Sequence, residues 1–172
     1  MDDSLNKRDA AWAGLARLYG EAGVKEICLL LQDRAGVCVT ALLTVVWSAA
    51  AGHGPLRPEA AAAVVAISER LEADVLRPLR RARNGLRGDA RRDAQAAALR
   101  QSLLQRELEV ERLVQERVLA RIRPCGRRDH PGDAGDDARV ALERYLTSLG
   151  VAATAGLRAP LRRIVTVAVA AR

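Results

Sequence analysis

Val24-Lys25-Glu26-Ile27-Cys28-Leu29-Leu30-Leu31 runs into Gln32-Asp33-Arg34-Ala35-Gly36, and Val37 to Ala51 then continues without a single charged residue. Val24, Ile27, Cys28 and Leu31 share one helical face, which Leu29 and Leu30 widen. A helix apolar on most sides belongs inside a protein. Asp33 and Gly36 predict a short turn, and the second of the two helices should stop at Gly52-His53-Gly54-Pro55. Ala35 to Gly52 is just long enough to raise the question of a membrane span. Its content of Ala, Thr and Ser makes a buried central helix the expected reading, with Trp47 as a buried side chain.

Composition points the same way. The 172-residue chain is 49% hydrophobic, which excludes disorder, yet it has no Phe, two Trp and two Tyr. A core of Ala, Leu and Val suits closely packed helices better than strands, which favour aromatic and β-branched residues. The expected fold is all-α, a single-domain bundle of about six helices. The net charge is +7 and comes almost entirely from Arg, since Lys7 and Lys25 are the only lysines. With the Ala excess this resembles a coding bias, so the charge implies weak attraction to polyanions rather than a specific site. Cys28, Cys38 and Cys125 read as reduced thiols, and Met1-Asp2-Asp3-Ser4 lacks the apolar run of a secretory signal. The expected compartment is the cytoplasm.

Working outward, Trp12, Leu15, Ala16 and Tyr19 at i, i+3, i+4 and i+7 predict a first helix with those residues on its inner face. Pro58-Glu59 opens a fourth, with Val64, Ile67, Leu71 and Val75 along one side. Pro78 lacks an N–H and clashes with the preceding turn, so a kink or break is expected near Asp74 to Arg77. A long fifth helix, capped by Asp89, should run to Ile122 on a stripe of Leu99, Leu103, Val110, Val114 and Val118. At about 50 Å it must project or break. It is not a clean heptad, because a strict a/d reading puts Gln101 and Glu111 on the seam. Residues 1–123 form the expected main helical domain and 124–135 a loop. Residues 136–172 form a C-terminal helical segment packing on that domain. Asp136 or Asp137 caps its first helix, and a final helix from Ala155 is favoured over a strand.

No catalytic, cofactor-binding or metal-binding constellation emerges. Arg77, Arg80, Arg81, Arg83, Arg87, Arg91 and Arg92 form the densest charged feature. Guanidinium forks match phosphates and carboxylates, so Arg77, Arg80, Arg81, Arg83 and Arg87 are the candidate contacts for an anion or a partner. A solvated face is the plainer reading. Gln32, Asp33 and Trp47 make a candidate structural motif, with Asp33 placed to pair with arginines after Pro78. Cys125, Asp129, His130 and Asp133 match no standard metal spacing, and His53 between two glycines reads as a loop residue.

The order of these motifs resembles a small bacterial group of helical proteins, domain-of-unknown-function family 2390. The resemblance is carried by Trp12 and Leu18-Tyr19, Gly23-Val24, Ile27-Cys28-Leu29 and Leu31-Gln32-Asp33. It continues through Gly36, Val39, Leu42-Leu43, Trp47, Pro78-Leu79-Arg80 and Arg83. It spans residues 10 to 123 and extends loosely to Tyr145-Leu146 and Leu149-Gly150. It implies a helical fold and a bacterial cytosolic setting, with no reaction or cofactor to carry over. The leading expectation is a non-catalytic interaction or adaptor module with an unidentified protein partner, self-associating through the long helix. The alternative is an accessory RNA- or ribosome-binding protein using the arginines. An enzyme of unrecognised type is third, and a membrane partner is not expected.

Overall fold

The computed structural model describes residues 2–122, 133–152 and 154–171. Among these residues all regular structure is helical: α1 (Asp2–Gly20), α2 (Val24–Ala35), α3 (Val39–Ser48), α4 (Pro58–Leu71), α5 (Arg77–Gly85), α6 (Ala94–Ile122), α7 (Ala134–Ser148) and α8 (Ala155–Ala170). The chain is an all-α bundle with a long helix. None of the described helices is long and apolar enough to cross a membrane.

The decisive stretch is the hub. Thr40 to Val46 and Ser48 of α3 are all buried, with α1, α2, α6, α7 and α8 packed around them. A buried hydroxyl needs a partner, and Thr44 donates to the Thr40 carbonyl at 2.6 Å. The entry to α3 is set by Gly36, in the left-handed region at φ 63°. Its N–H donates to the Gln32 carbonyl and that of Val37 to the Leu31 carbonyl, which satisfies the open end of α2. A side chain at 36 would be strained there.

Two expectations near this hub need correction. Trp47 is half-buried rather than buried, because it leans across α1 at the rim of the core. A Cβ on Gly14 would lie 2.5 Å from the indole Nε1, so only glycine lets the two elements approach this closely. The inner face of α1 is also rotated from the expected one. Ala11, Leu15 and Leu18 are buried, Trp12 and Tyr19 sit at its edge, and Ala16 is exposed.

Pro78 is accommodated by widening the helix instead of ending it. Glu72–Leu76 forms a π turn in which the Arg77 N–H donates to the Glu72 carbonyl, five residues back. The extra residue per turn relieves the clash that would cost about 3 kcal/mol in a regular helix. After a 3₁₀ turn at Asp89–Arg91 the chain reverses into α6. Asp93, not Asp89, meets the first turn, its carboxylate accepting from the Gln95 N–H at 2.8 Å.

The 29 residues of α6 span about 44 Å and the helix projects. Its expected stripe is divided between two environments. Val114 and Val118 are fully buried, whereas Val110 and Leu103 are half-buried and Leu99 is exposed. The free half of α6 is instead paired with α5, so that α5, the 3₁₀ turn and the first half of α6 form a hairpin standing off the hub.

Helices α7 and α8 supply Ala138, Leu142, Tyr145, Leu146, Leu161 and Ile164 to the same core as α3. Asp133 caps α7 through the Gly135 N–H, displacing the expected caps Asp136 and Asp137 by one turn. Ala134 and Gly135 are thus helical, and 123–132, which hold the rest of the expected loop, lie outside the described residues. Buried Tyr145 reaches Ser68 of α4, hydroxyl to hydroxyl, at 3.3 Å. The valines of the tail lie on a helix, α8, and not on a strand.

Candidate functional site

Among the described residues, buried charged side chains converge where α5 meets α6. Arg80 and Arg83, three residues apart, share the inner face of α5. Glu107 and Glu111, four apart, share a face of α6. Arg80 Nη1 donates to Glu72 Oε1 at 2.6 Å and Nη2 to Glu111 Oε1 at 3.0 Å, while Arg83 Nε donates to Glu107 Oε1 at 2.6 Å. The higher-numbered arginine meets the lower-numbered acid, as an antiparallel hairpin requires. Glu72 reaches in from the π turn, so the feature that accommodates Pro78 also aims a third carboxylate at Arg80.

Three carboxylates therefore share two guanidiniums in a largely dehydrated place, with Glu72 and Glu107 buried. The second oxygen of Glu72 is buried with no hydrogen-bond partner. Burial pushes the Glu111 carboxyl above its ordinary value, against the opposing hydrogen bond and charge of Arg80 and with help from Glu107 and Glu72. Burial alone would lower Arg80, but Glu72 and Glu111 hold its guanidinium above the ordinary value. Cys38 stands within electrostatic reach of the group, and burial pushes its thiol up to about 12. Cys28 is likewise pushed up to about 12 by burial. Such thiols are protonated and inert at neutral pH.

The arrangement is a clasp. Each guanidinium is ion-paired to internal acids, and neither of two surface hollows among the described residues opens onto it. One, of about 20 Å³, lies among Asp9, Trp12, Arg112 and Gln115. The other, an open depression of about 300 Å³, lies beside Leu146, Gly150 and Val151. Among the described residues no three His, Cys, Asp or Glu side chains are grouped to hold a metal ion.

The structure sorts the candidate residues into two sets. Arg80 and Arg83 turn inward, whereas Arg77, Arg81 and Arg87 are exposed on the outside of the hairpin. Asp33 is exposed and does not meet the arginines after Pro78, of which Arg80 and Arg83 are paired with Glu72, Glu107 and Glu111. Gln32 serves the turn at Gly36 through its backbone, and Trp47 serves the contact with Gly14. His53 Nδ1 lies 3.1 Å from the Ser48 carbonyl, inside the π turn Ala49–His53 that extends α3. Cys125, Asp129 and His130 lie outside the described residues, and Asp133 is a helix cap. Glu72 and Glu107 carry no signal in the sequence, whereas Glu111, a polar residue on the a/d seam with Gln101, is the one that could have been found.

Residues 10–118 match the family described as "Protein of unknown function (DUF2390)". The chain belongs to this family. No curated protein and no solved structure matches it. All five clasp residues of the DUF2390 chain fall inside the matched region, and Arg80 and Arg83 are among the residues that carried the resemblance. Helices α7 and α8 lie beyond the match but complete the core around α3.

Proposed function

We propose that this DUF2390 protein is a non-catalytic helical module that binds another protein through the hairpin of α5 and α6. The observation that carries this reading is that α5 buries none of its residues, yet is fixed to α6 by half-buried ion pairs. A helix held at that desolvation cost, and contributing no buried residue to the core, is suited to presenting a surface. Leu99 on the projecting part of α6 is 53% exposed, with Leu108 and Leu113 at 37%. Exposed leucines along a rigid helix supply the apolar contacts that protein interfaces need. The arginines and glutamates between α5 and α6 are ion-paired to one another, so what the hairpin offers is its outer surface. A second copy of the chain is one such partner, meeting α6 with α6. Cys28 and Cys38 as free buried thiols favour the cytoplasm as the setting.

The RNA-binding alternative is supported by Arg77, Arg81, Arg87, Arg91 and Arg92, which are exposed. Against it, Arg80 and Arg83 are committed internally, and Trp12, Tyr19, Trp47 and Tyr145 lie on other helices, leaving no platform on which bases stack. The test is a photo-crosslinking residue at Leu99 or Leu108, with one at the exposed Ala66 of α4 as control, exposed to native extract. Protein adducts at the first two positions that survive nuclease support the reading. Adducts abolished by nuclease favour RNA, and equal labelling at Ala66 removes the hairpin from consideration.

A further inference from the structure

The arginines left over from the clasp lie on α5 and in the turn that follows it. Arg77 and Arg81 are one turn apart on the outer face of α5, and Arg87, Arg91 and Arg92 follow in the turn that leads to α6. All five are exposed, and among the described residues none has a carboxylate partner, while Asp89 is the only acid in the stretch from 77 to 92. Other exposed arginines are neutralised where they stand: Arg106 by Glu109 at 2.6 Å, Arg139 by Asp136 and Glu143, Arg112 by Asp9 at 3.6 Å. Those without such a partner elsewhere are scattered, or form the group Arg158, Arg162 and Arg163 on α8, of which Arg163 donates to the Ala22 carbonyl.

We infer that the outer face of α5 and the turn after it dock an acidic segment of a partner protein. This rests on the hairpin being a protein-binding element and names the chemistry of what it binds. The guanidinium fork takes a carboxylate bidentately, and arginines one turn apart match acids at the same spacing on a helix. The clasp fixes α5 from behind, so the charges are displayed on a rigid support and little freedom is lost on binding. Exposed Leu99, in the second turn of α6, offers an apolar contact within the same hairpin. Without a stacking aromatic the face favours carboxylates on a protein over a nucleic acid strand.

The test is fluorescence anisotropy of the full chain with three labelled probes: a glutamate-rich helical peptide, its glutamine counterpart, and a single-stranded RNA of equal charge. The glutamate peptide should bind at low salt and the glutamine peptide at least about tenfold more weakly. Arg77→Glu with Arg81→Glu should weaken the glutamate peptide about tenfold or more while leaving the helical circular dichroism intact. Arg87→Glu with Arg91→Glu should do the same, guarding against a local defect in α5. Arg158→Glu with Arg162→Glu on α8 should leave binding unchanged. The inference is overturned if the peptide does not bind, if the α8 variant loses as much as the hairpin variants, or if RNA binds more tightly through the same arginines. Protein crosslinking at Leu99 that persists in the Arg77→Glu, Arg81→Glu variant would sink the acidic partner and leave the hairpin reading in place.

Discussion

The hub around α3 and the hairpin of α5 and α6 are built from the same element type by opposite means. In α3 nothing is charged, most side chains are buried, and the helix is held by apolar contact with its neighbours. In α5 nothing is buried, and the helix is held by two arginines and three glutamates. Helix α6 belongs to both: Val114, Val118 and Ile122 complete the hub, and Glu107 and Glu111 hold the hairpin. Apolar contact tolerates volume-conserving repacking, carries no titratable group and is not weakened by charge screening. A clasp of partly buried ions is worth little net stability but punishes the loss of one partner, and it sets the register of two helices. The hub supplies the fold, and the clasp supplies a defined orientation for what stands on it.

The largest effect should come from the hub. Leu42 is fully buried, and Leu42→Ala should cost about 4 kcal/mol in a urea unfolding curve, from lost transfer energy and the cavity left behind. A loss under about 1 kcal/mol would mean that α3 is not the centre of the core. Trp47→Ala should cost about 3 kcal/mol, the low end for a large aromatic, since the indole is half-buried. Its contact with α1 gives a coupled test. Gly14→Ala should cost about 2 kcal/mol through the clash with the indole, and the penalty should shrink in a Trp47→Leu background. Additive losses would show that the two residues do not touch.

In the clasp, Glu72→Ala leaves Arg80 with Glu111 alone and should destabilise by about 2 kcal/mol, less than for a fully buried pair because Arg80 keeps some contact with water. The loss should be accompanied by faster amide exchange in α5 than in α3. Uniform exchange would contradict the division into two regions.

Acid should act on the clasp in a particular direction. The folded-state pKa of Glu111 lies above its ordinary 4.5, so the folded protein takes up this proton before the unfolded chain does. The ionised carboxylate is the form penalised on folding. The contribution of Glu111 to stability therefore rises as pH falls through the folded pKa towards 4.5, and it is constant below that. The difference in unfolding free energy between the native chain and Glu111→Gln should shift towards the native chain over that window. A shift the other way would show that the carboxylate is not the excess charge of the group. The smallest effect is expected outside the clasp, where Arg77→Ala should change stability by less than about 0.5 kcal/mol.

Much of this architecture was legible residue by residue. The uncharged run, the turn at Gly36, the start at Pro58-Glu59 and the disturbance before Pro78 all follow from local chemistry: hydrophobic periodicity, glycine's left-handed conformation and proline's missing donor. The all-α reading followed from composition on similar grounds, whereas the family resemblance rested on the order of the motifs from Trp12 to Arg83. What stayed hidden depends on which faces meet. Seven arginines within sixteen residues look alike in sequence, and only the hairpin divides Arg80 and Arg83, which meet acids of α6 and of the π turn, from the five that face water. Arg80 and Glu111 are 31 positions apart, and Ser68 and Tyr145 are 77 apart. No local propensity relates residues at such separations, because their pairing is decided by how the apolar faces of whole helices pack. How the helix accommodates Pro78 was settled in the same way, since the π turn there also brings Glu72 to Arg80. Local chemistry determined where this chain is helical and where it turns, and tertiary packing alone decided which charges became structure and which remained as surface.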